Sequence, residues 1–176
     1  IGSLETLLRL ADALGSAIEI RLAGRLSTRD ISEARLEKAL EGRPPLRFDG
    51  PYRSPEDLPR LYGGVHFAWG VDETDAGANS DWLLPNRLYE AGAHGAPLLA
   101  RAGTATAREA EARGLGLALA PPLARSAATL LRGLDAGAYR ALRRRVAAAP
   151  RESLIENGET AALLREVAGA SRGAAS

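Results

Sequence analysis

An α/β fold with a doubly wound parallel sheet and a helical C-terminal segment is what this sequence predicts, and three observations carry the prediction. Five short apolar segments recur along the chain, most of them ended by a glycine or a polar turn. Stretches of helical periodicity separate them. The connections are short, apart from a polar loop at Asp72–Asp81. Such alternation places strands side by side in parallel, with helices as crossovers.

Each element has a local reason. Ser3–Leu14 sets Leu4, Leu7, Leu8, Ala11 and Leu14 on one helical face and stops at Gly15. Ala17–Ala23 alternates as a strand and ends at Gly24. Thr28-Arg29-Asp30 opens a helix running to about Leu40. Pro45–Asp49 is a short strand ended by Gly50. Ser54-Pro55-Glu56-Asp57 combines a serine cap, a proline in the first turn and acids facing the helix dipole, so a helix follows to Tyr62. Val65–Val71 is the next strand, and the polar loop leads from it to a helix over Pro85–Ala93. Pro97–Ala100 is a strand, Gly103-Thr104 caps a helix to Arg113, and Leu115–Ala120 is the last strand. Ala124–Leu134, Ala136–Ala149 and Gly158–Val167 read as helices, and Gly169–Ser176 as a frayed tail.

Composition bounds the function. A length of 176 residues fits one domain with a tail, and 45% hydrophobic residues can supply a core. We read residues 1–150 as that domain and 151–176 as a C-terminal helix and tail. With 23 basic and 22 acidic residues, the charge balance argues against a nucleic-acid partner. There is no cysteine, which removes disulfides and thiol chemistry and agrees with a cytoplasmic setting. No apolar run approaches the roughly 20 residues that span a bilayer. Lys38 is the only lysine, and the arginine and alanine bias matches a GC-rich bacterial coding sequence. The chain has no methionine and opens directly with a helix, where a doubly wound half would begin with its central strand. We therefore expect a piece of a longer protein, with a further domain upstream.

The chemistry concentrates in Asn79–Glu90, where a polar loop runs into Pro85 and a helix begins. Free amides at a helix start attract phosphate. Glu90 lies about one turn further in, where a carboxylate can accept hydrogen bonds from two ribose hydroxyls. Ligands on parallel sheets bind beyond the carboxyl ends of the strands, and this loop leaves from such an end.

Three runs resemble the donor-binding domain of GT-B glycosyltransferases, most closely the family-4 type of bacterial exopolysaccharide (succinoglycan) synthesis. They are Phe48-Asp49-Gly50-Pro51-Tyr52-Arg53-Ser54-Pro55-Glu56-Asp57-Leu58 with Leu61-Tyr62, Ala78 through Glu90, and Ala100-Arg101-Ala102-Gly103-Thr104. Pro85-Asn86-Arg87-Leu88-Tyr89-Glu90 is the most specific part. The resemblance implies a Rossmann-like half of a GT-B fold. It implies a nucleoside diphosphate sugar as substrate, with no cofactor and no metal. It also implies a carbohydrate or lipid-linked acceptor held by the upstream domain, so that this piece alone binds but does not turn over. Glu90 matches the second of two family glutamates and would hold the ribose. The first falls on Trp82, so the sugar contacts are unassigned, with Asn79, Ser80 and Asp81 as the nearest polar substitutes. Amides around Leu83–Asn86, Leu84 and Asn86 among them, would face the diphosphate or the sugar. Arg87 and Arg25 are phosphate or base candidates, and Tyr52 sits in the base-binding loop.

Plainer readings stand beside these. Glu90 also suits the helix dipole. Trp82 reads more simply as an anchor for its loop. Asp72, Glu73 and Asp75 read as solvated acids, His66 as a core or hydrogen-bonded residue, and His94 as packing. Arg140, Arg143, Arg144 and Arg145 form a solvated helix face, or a weak contact with the inner membrane surface. The competing function is a non-catalytic interaction module that keeps the fold. A dehydrogenase half is disfavoured because no Gly-x-Gly-x-x-Gly follows a strand.

Overall fold

The computed structural model describes residues 2–26, 31–73 and 79–155. It is a mixed α/β chain with parallel sheets and seven α-helices among those residues, compatible with a Rossmann-like fold.

Helix α1 (Gly2–Leu14) buries Leu7, Leu10 and Ala11, a single face at helical spacing. Strand β1 (Ile20–Leu22) pairs in parallel with β2 (Leu46–Phe48), Ile20 opposite Leu46. Helix α2 (Glu33–Leu40) joins them. Its cap is Ser32, whose hydroxyl accepts the Arg35 N–H at 3.3 Å, so the helix starts later than Thr28-Arg29-Asp30 suggested. Residues 28–30 lie outside the described part.

Helix α3 (Leu58–Gly63) also starts late. Residues 54–57 form a turn, in which the Asp57 carboxylate accepts the Arg53 N–H at 2.8 Å. The capping position is therefore Asp57, not Ser54, and the proline in the first turn is Pro59, not Pro55. The remaining elements follow the expected order: β3 (Ala68–Trp69), α4 (Asn86–Ala93), β4 (Leu98–Arg101), α5 (Ala105–Ala112), β5 (Gly116–Leu119), α6 (Leu123–Gly133) and α7 (Ala136–Ala147). Thr104 and Asp135 cap α5 and α7 by accepting the Ala107 and Ala138 N–H groups at 3.1 and 2.8 Å. The expected helix at Gly158–Val167 falls outside the described residues.

Strands β3, β4 and β5 form one parallel sheet in that order, while β1 and β2 form a separate pair. Apolar side chains cover the three-stranded sheet on both faces. Leu98 and Ala100 pack with Leu88 and Ala91 of α4, Ala107 and Ala110 of α5, and Val146 of α7. Leu99 points the other way, into a cluster with Leu7 and Leu10 of α1, Leu46, Val71, Leu119, and Ala127 of α6. Arg132 ties α6 to α1 by donating to the Ala13 carbonyl at 2.6 Å. No helix among the described residues is long and apolar enough to cross a membrane.

The β4–β5 approach depends on the missing side chain of Gly116. A Cβ there would lie 2.2 Å from the Leu98 carbonyl oxygen, a contact with backbone that no rotamer change relieves. Gly116→Ala is therefore expected to destabilise the chain by about 1–3 kcal/mol or more, read as a lower denaturation midpoint with unchanged m-value.

Candidate functional site

Within each sheet the strands run parallel, so their carboxyl ends lie side by side, and the loops leaving them carry the candidate residues. The loop after β1 is held to the loop after β2 by the Gly24 N–H bonding to the Gly50 carbonyl at 2.9 Å. Arg25 and Tyr52 thus leave neighbouring strands at the same end. Gly50 turns with φ +75°, which a side chain would strain. Arg25 is exposed and Tyr52 half-buried.

The loop after β3 ends in a short turn at Asn79–Asp81, with Ser80 buried. Two contacts fix it. Asp81 pairs with Arg101 at the carboxyl end of β4. The Leu83 carbonyl accepts the Thr106 hydroxyl of α5 at 2.9 Å. Trp82 does not anchor this loop, contrary to the simpler expectation: it is 74% exposed, with Leu83 at 50% and Leu84 at 41%. The polar contacts on either side leave the indole projecting into solvent.

Helix α4 then starts at Asn86, which is exposed. Pro85 precedes it and offers no capping side chain. The Leu88 N–H reaches back to the Pro85 carbonyl at 2.9 Å, so the Asn86 and Arg87 amides are the helix-start donors left over. Glu90 follows one turn on. Its Oε2 accepts the Tyr62 hydroxyl of α3 at 3.0 Å. An ionised carboxylate offers about four acceptor positions, so most of its capacity remains. Burial, and then the Glu90 charge and hydrogen bond, push the Tyr62 hydroxyl well above the ordinary tyrosine range. Tyr62 is therefore a neutral donor that orients Glu90. Glu90 and Tyr62 thus meet between α4 and α3, with Arg87 on the first turn of α4.

Arg87 donates to the Trp69 carbonyl at 3.3 Å. His94 stacks on the Tyr62 ring, centroids 6.1 Å apart and nearly coplanar in orientation, which is the packing role expected of it. Glu73 accepts the Thr6 hydroxyl at 2.7 Å, so it is tied to α1 rather than left in solvent, and Asp75 lies outside the described residues. His66 is not a core residue: it is exposed, its ring lies against Tyr139 at 5.1 Å, and its carbonyl accepts the Tyr139 hydroxyl. The four α7 arginines are all exposed.

Asn86, Arg87 and Glu90 share the first turns of α4, and Tyr52 lies in the loop after β2. The structure leaves Arg25 on a neighbouring loop, and Trp82 and Leu84 on an exposed tip. Sequence reasoning missed two residues. Tyr62 orients Glu90 across 28 residues of chain, and no local sequence pattern signals it. Arg101 pairs with Asp81 through Nη2 while its buried Nε has no hydrogen-bond partner, at a strand end where a cation can face an anion.

Two outcomes follow. Tyr62→Phe removes one hydrogen bond to a half-buried carboxylate and is expected to cost about 1 kcal/mol in chemical denaturation. His94 sits below its ordinary value of 6.5, because of burial first and then the Arg151 charge, with Glu90 opposing. The unfolded chain then binds this proton more readily, so the His94 contribution costs stability as pH falls through about 6.5 and costs nothing above it. The melting temperature is expected to fall less between about pH 7.5 and 5.5 in His94→Gln than in the parent.

No protein-family model matches the chain. It is similar to the succinoglycan biosynthesis protein ExoL of Rhizobium meliloti (strain 1021), with 36% identity over 167 residues. That match takes in 94% of this chain but only 41% of ExoL, so the chain spans about two fifths of the length of the curated relative it matches.

Proposed function

We propose that this chain is the nucleotide-sugar-binding half of a glycosyltransferase, built on a doubly wound sheet of GT-B type. The reaction would move a sugar from a nucleoside diphosphate donor to an acceptor in exopolysaccharide synthesis. The observation that carries this reading is Glu90, held by the Tyr62 hydroxyl, one turn inside the uncapped start of α4. The similarity to ExoL supports it from sequence.

Glu90, held by Tyr62, accepts the two ribose hydroxyls. Tyr52 lines the base side. The Asn86 and Arg87 amides, the Arg87 guanidinium and the dipole of α4 face the diphosphate. As the glycosidic bond breaks, negative charge grows on the departing diphosphate. Donors already in place stabilise it without reorganising, which is where the rate comes from. The acceptor hydroxyl and any base that deprotonates it belong to a further domain. This half therefore binds donor and does not turn over alone.

One observation favours a second reading, a non-catalytic interaction module. The exposed Trp82-Leu83-Leu84 tip stands where the family resemblance expects an acid toward the sugar. The two readings separate by calorimetry of the chain with UDP, GDP and nucleoside monophosphates. We expect a nucleoside diphosphate to bind, and Glu90→Ala to weaken it by about ten- to a hundredfold, the worth of hydrogen bonds to a charged group. Absence of binding to every nucleotide, with the circular dichroism spectrum intact, selects the interaction module.

A further inference from the structure

Tyr62 is clamped between two side chains of α4. Its hydroxyl donates to Glu90 Oε2 at 3.0 Å, and its ring lies within 8° of parallel to that of His94, centroids 6.1 Å apart. His94 is the residue that ends α4, and its backbone N–H bonds back to the Glu90 carbonyl at 3.2 Å. Residues four apart on a helix stand one above the other on the same face. One side chain of α3 is therefore held at both its ends by α4.

Little else fixes that side chain. Helix α3 has six residues, and Leu58 is the one it buries. Gly63 and Gly64 follow Tyr62 directly, and both are exposed. A Cβ on Gly63 would meet nothing within 4 Å. The direction of the Tyr62 hydroxyl thus depends on its two partners.

Those partners differ in charge. Glu90 supplies the acceptor, and Tyr62 stays a neutral donor. His94 is half-buried, and burial first, then the Arg151 charge, hold it below its ordinary value of 6.5. Arg151 belongs to the turn Arg151–Ser153 that follows α7. The groups acting on His94 are then Tyr62 from α3, Glu90 from α4 and Arg151 from that turn.

A proton on His94 upsets this balance. An acid four residues ahead of a cation is the favoured order for a helical ion pair. The imidazolium therefore competes with the Tyr62 hydroxyl for the Glu90 carboxylate. A bond between two ions is stronger than one in which a single partner is charged. Repulsion from Arg151 drives the new cation the same way.

We infer that His94 is a positioning residue for Glu90: its neutral ring braces Tyr62 against the carboxylate, and its protonation draws the carboxylate off Tyr62 and withdraws the ribose acceptor in mild acid. The ribose part rests on the reading of Glu90 given above; the coupling of the three side chains does not. The donor would be held near neutral pH and released well above the ordinary carboxylate range of about 4. His94 thus gives the site a proton-dependent control that lies outside the ligand contacts.

The first arm of the test uses no ligand. Glutamate carboxylates and tyrosine Cζ atoms are labelled with carbon-13 and followed by NMR between about pH 7.5 and 5.5, with Glu90→Gln and Tyr62→Phe assigning the signals. The Glu90 and Tyr62 signals are expected to move together, with one midpoint below 6.5. His94→Phe keeps a ring in the stack and takes no proton, so it is expected to abolish that movement. Should His94→Phe not fold, His94→Gln removes the proton chemistry instead. Signals that stay flat while the His94 ring titrates overturn the inference. The second arm is calorimetry with UDP-glucose and GDP-mannose, whose diphosphate diesters take up no proton in this range. Affinity in the parent is expected to fall about tenfold across it, the worth of a hydrogen bond to a charged group, and to stay within about twofold in His94→Phe. Equal pH profiles in the two proteins overturn the release of donor. Absence of binding at every pH overturns the ribose reading instead, and the NMR arm alone then decides the coupling.

Discussion

Strand β4 is the constraint from which the rest is placed. It is paired on both edges and covered on both faces, with Leu98 and Leu99 serving opposite cores. Such a strand has no freedom of register, since a slip of one residue would exchange its two faces. Leu98 is also the residue whose carbonyl and side chain close on Gly116 and Gly70, so the neighbouring strands are drawn in against it from both sides. Burying a leucine of this kind is worth about 1.5–3 kcal/mol, and the fit of the glycines makes that burial specific.

From that strand the candidate site inherits its geometry. The last residue of β4, Arg101, pairs with Asp81, and the helix that follows supplies Thr106 for the Leu83 carbonyl. Both ends of the Asn79–Pro85 connection are thereby referred to β4 and α5, and the start of α4 is set by them. Glu90 is then one turn away from that start, and Tyr62 fixes its carboxylate. The chain of cause runs from sheet packing to loop, from loop to helix start, and from helix start to carboxylate. A perturbation of β4 is thus expected to reach the site, whereas a change at the exposed Trp82 is not expected to reach the core.

The order of elements was legible in the sequence because each strand is a short apolar run with a glycine or polar stop, and each helix has its own period. The starts of α2 and α3 were not. Thr28 and Ser54 are good capping residues by type, but Ser32 and Asp57 are as well, and residue type alone does not choose between them. Strand length was overread for Val65–Val71, because apolar character marks burial and only Ala68–Trp69 has a partner to pair with. The places of Arg87 and Glu90 on the first turns of α4 were legible from their spacing after Pro85. Tyr62 was not, because its contact spans 28 residues and local pattern carries no information about it. Trp82 was misread for a related reason. A tryptophan in a loop is more often buried, but here polar contacts flank it on both sides and leave no apolar surface for it to cover.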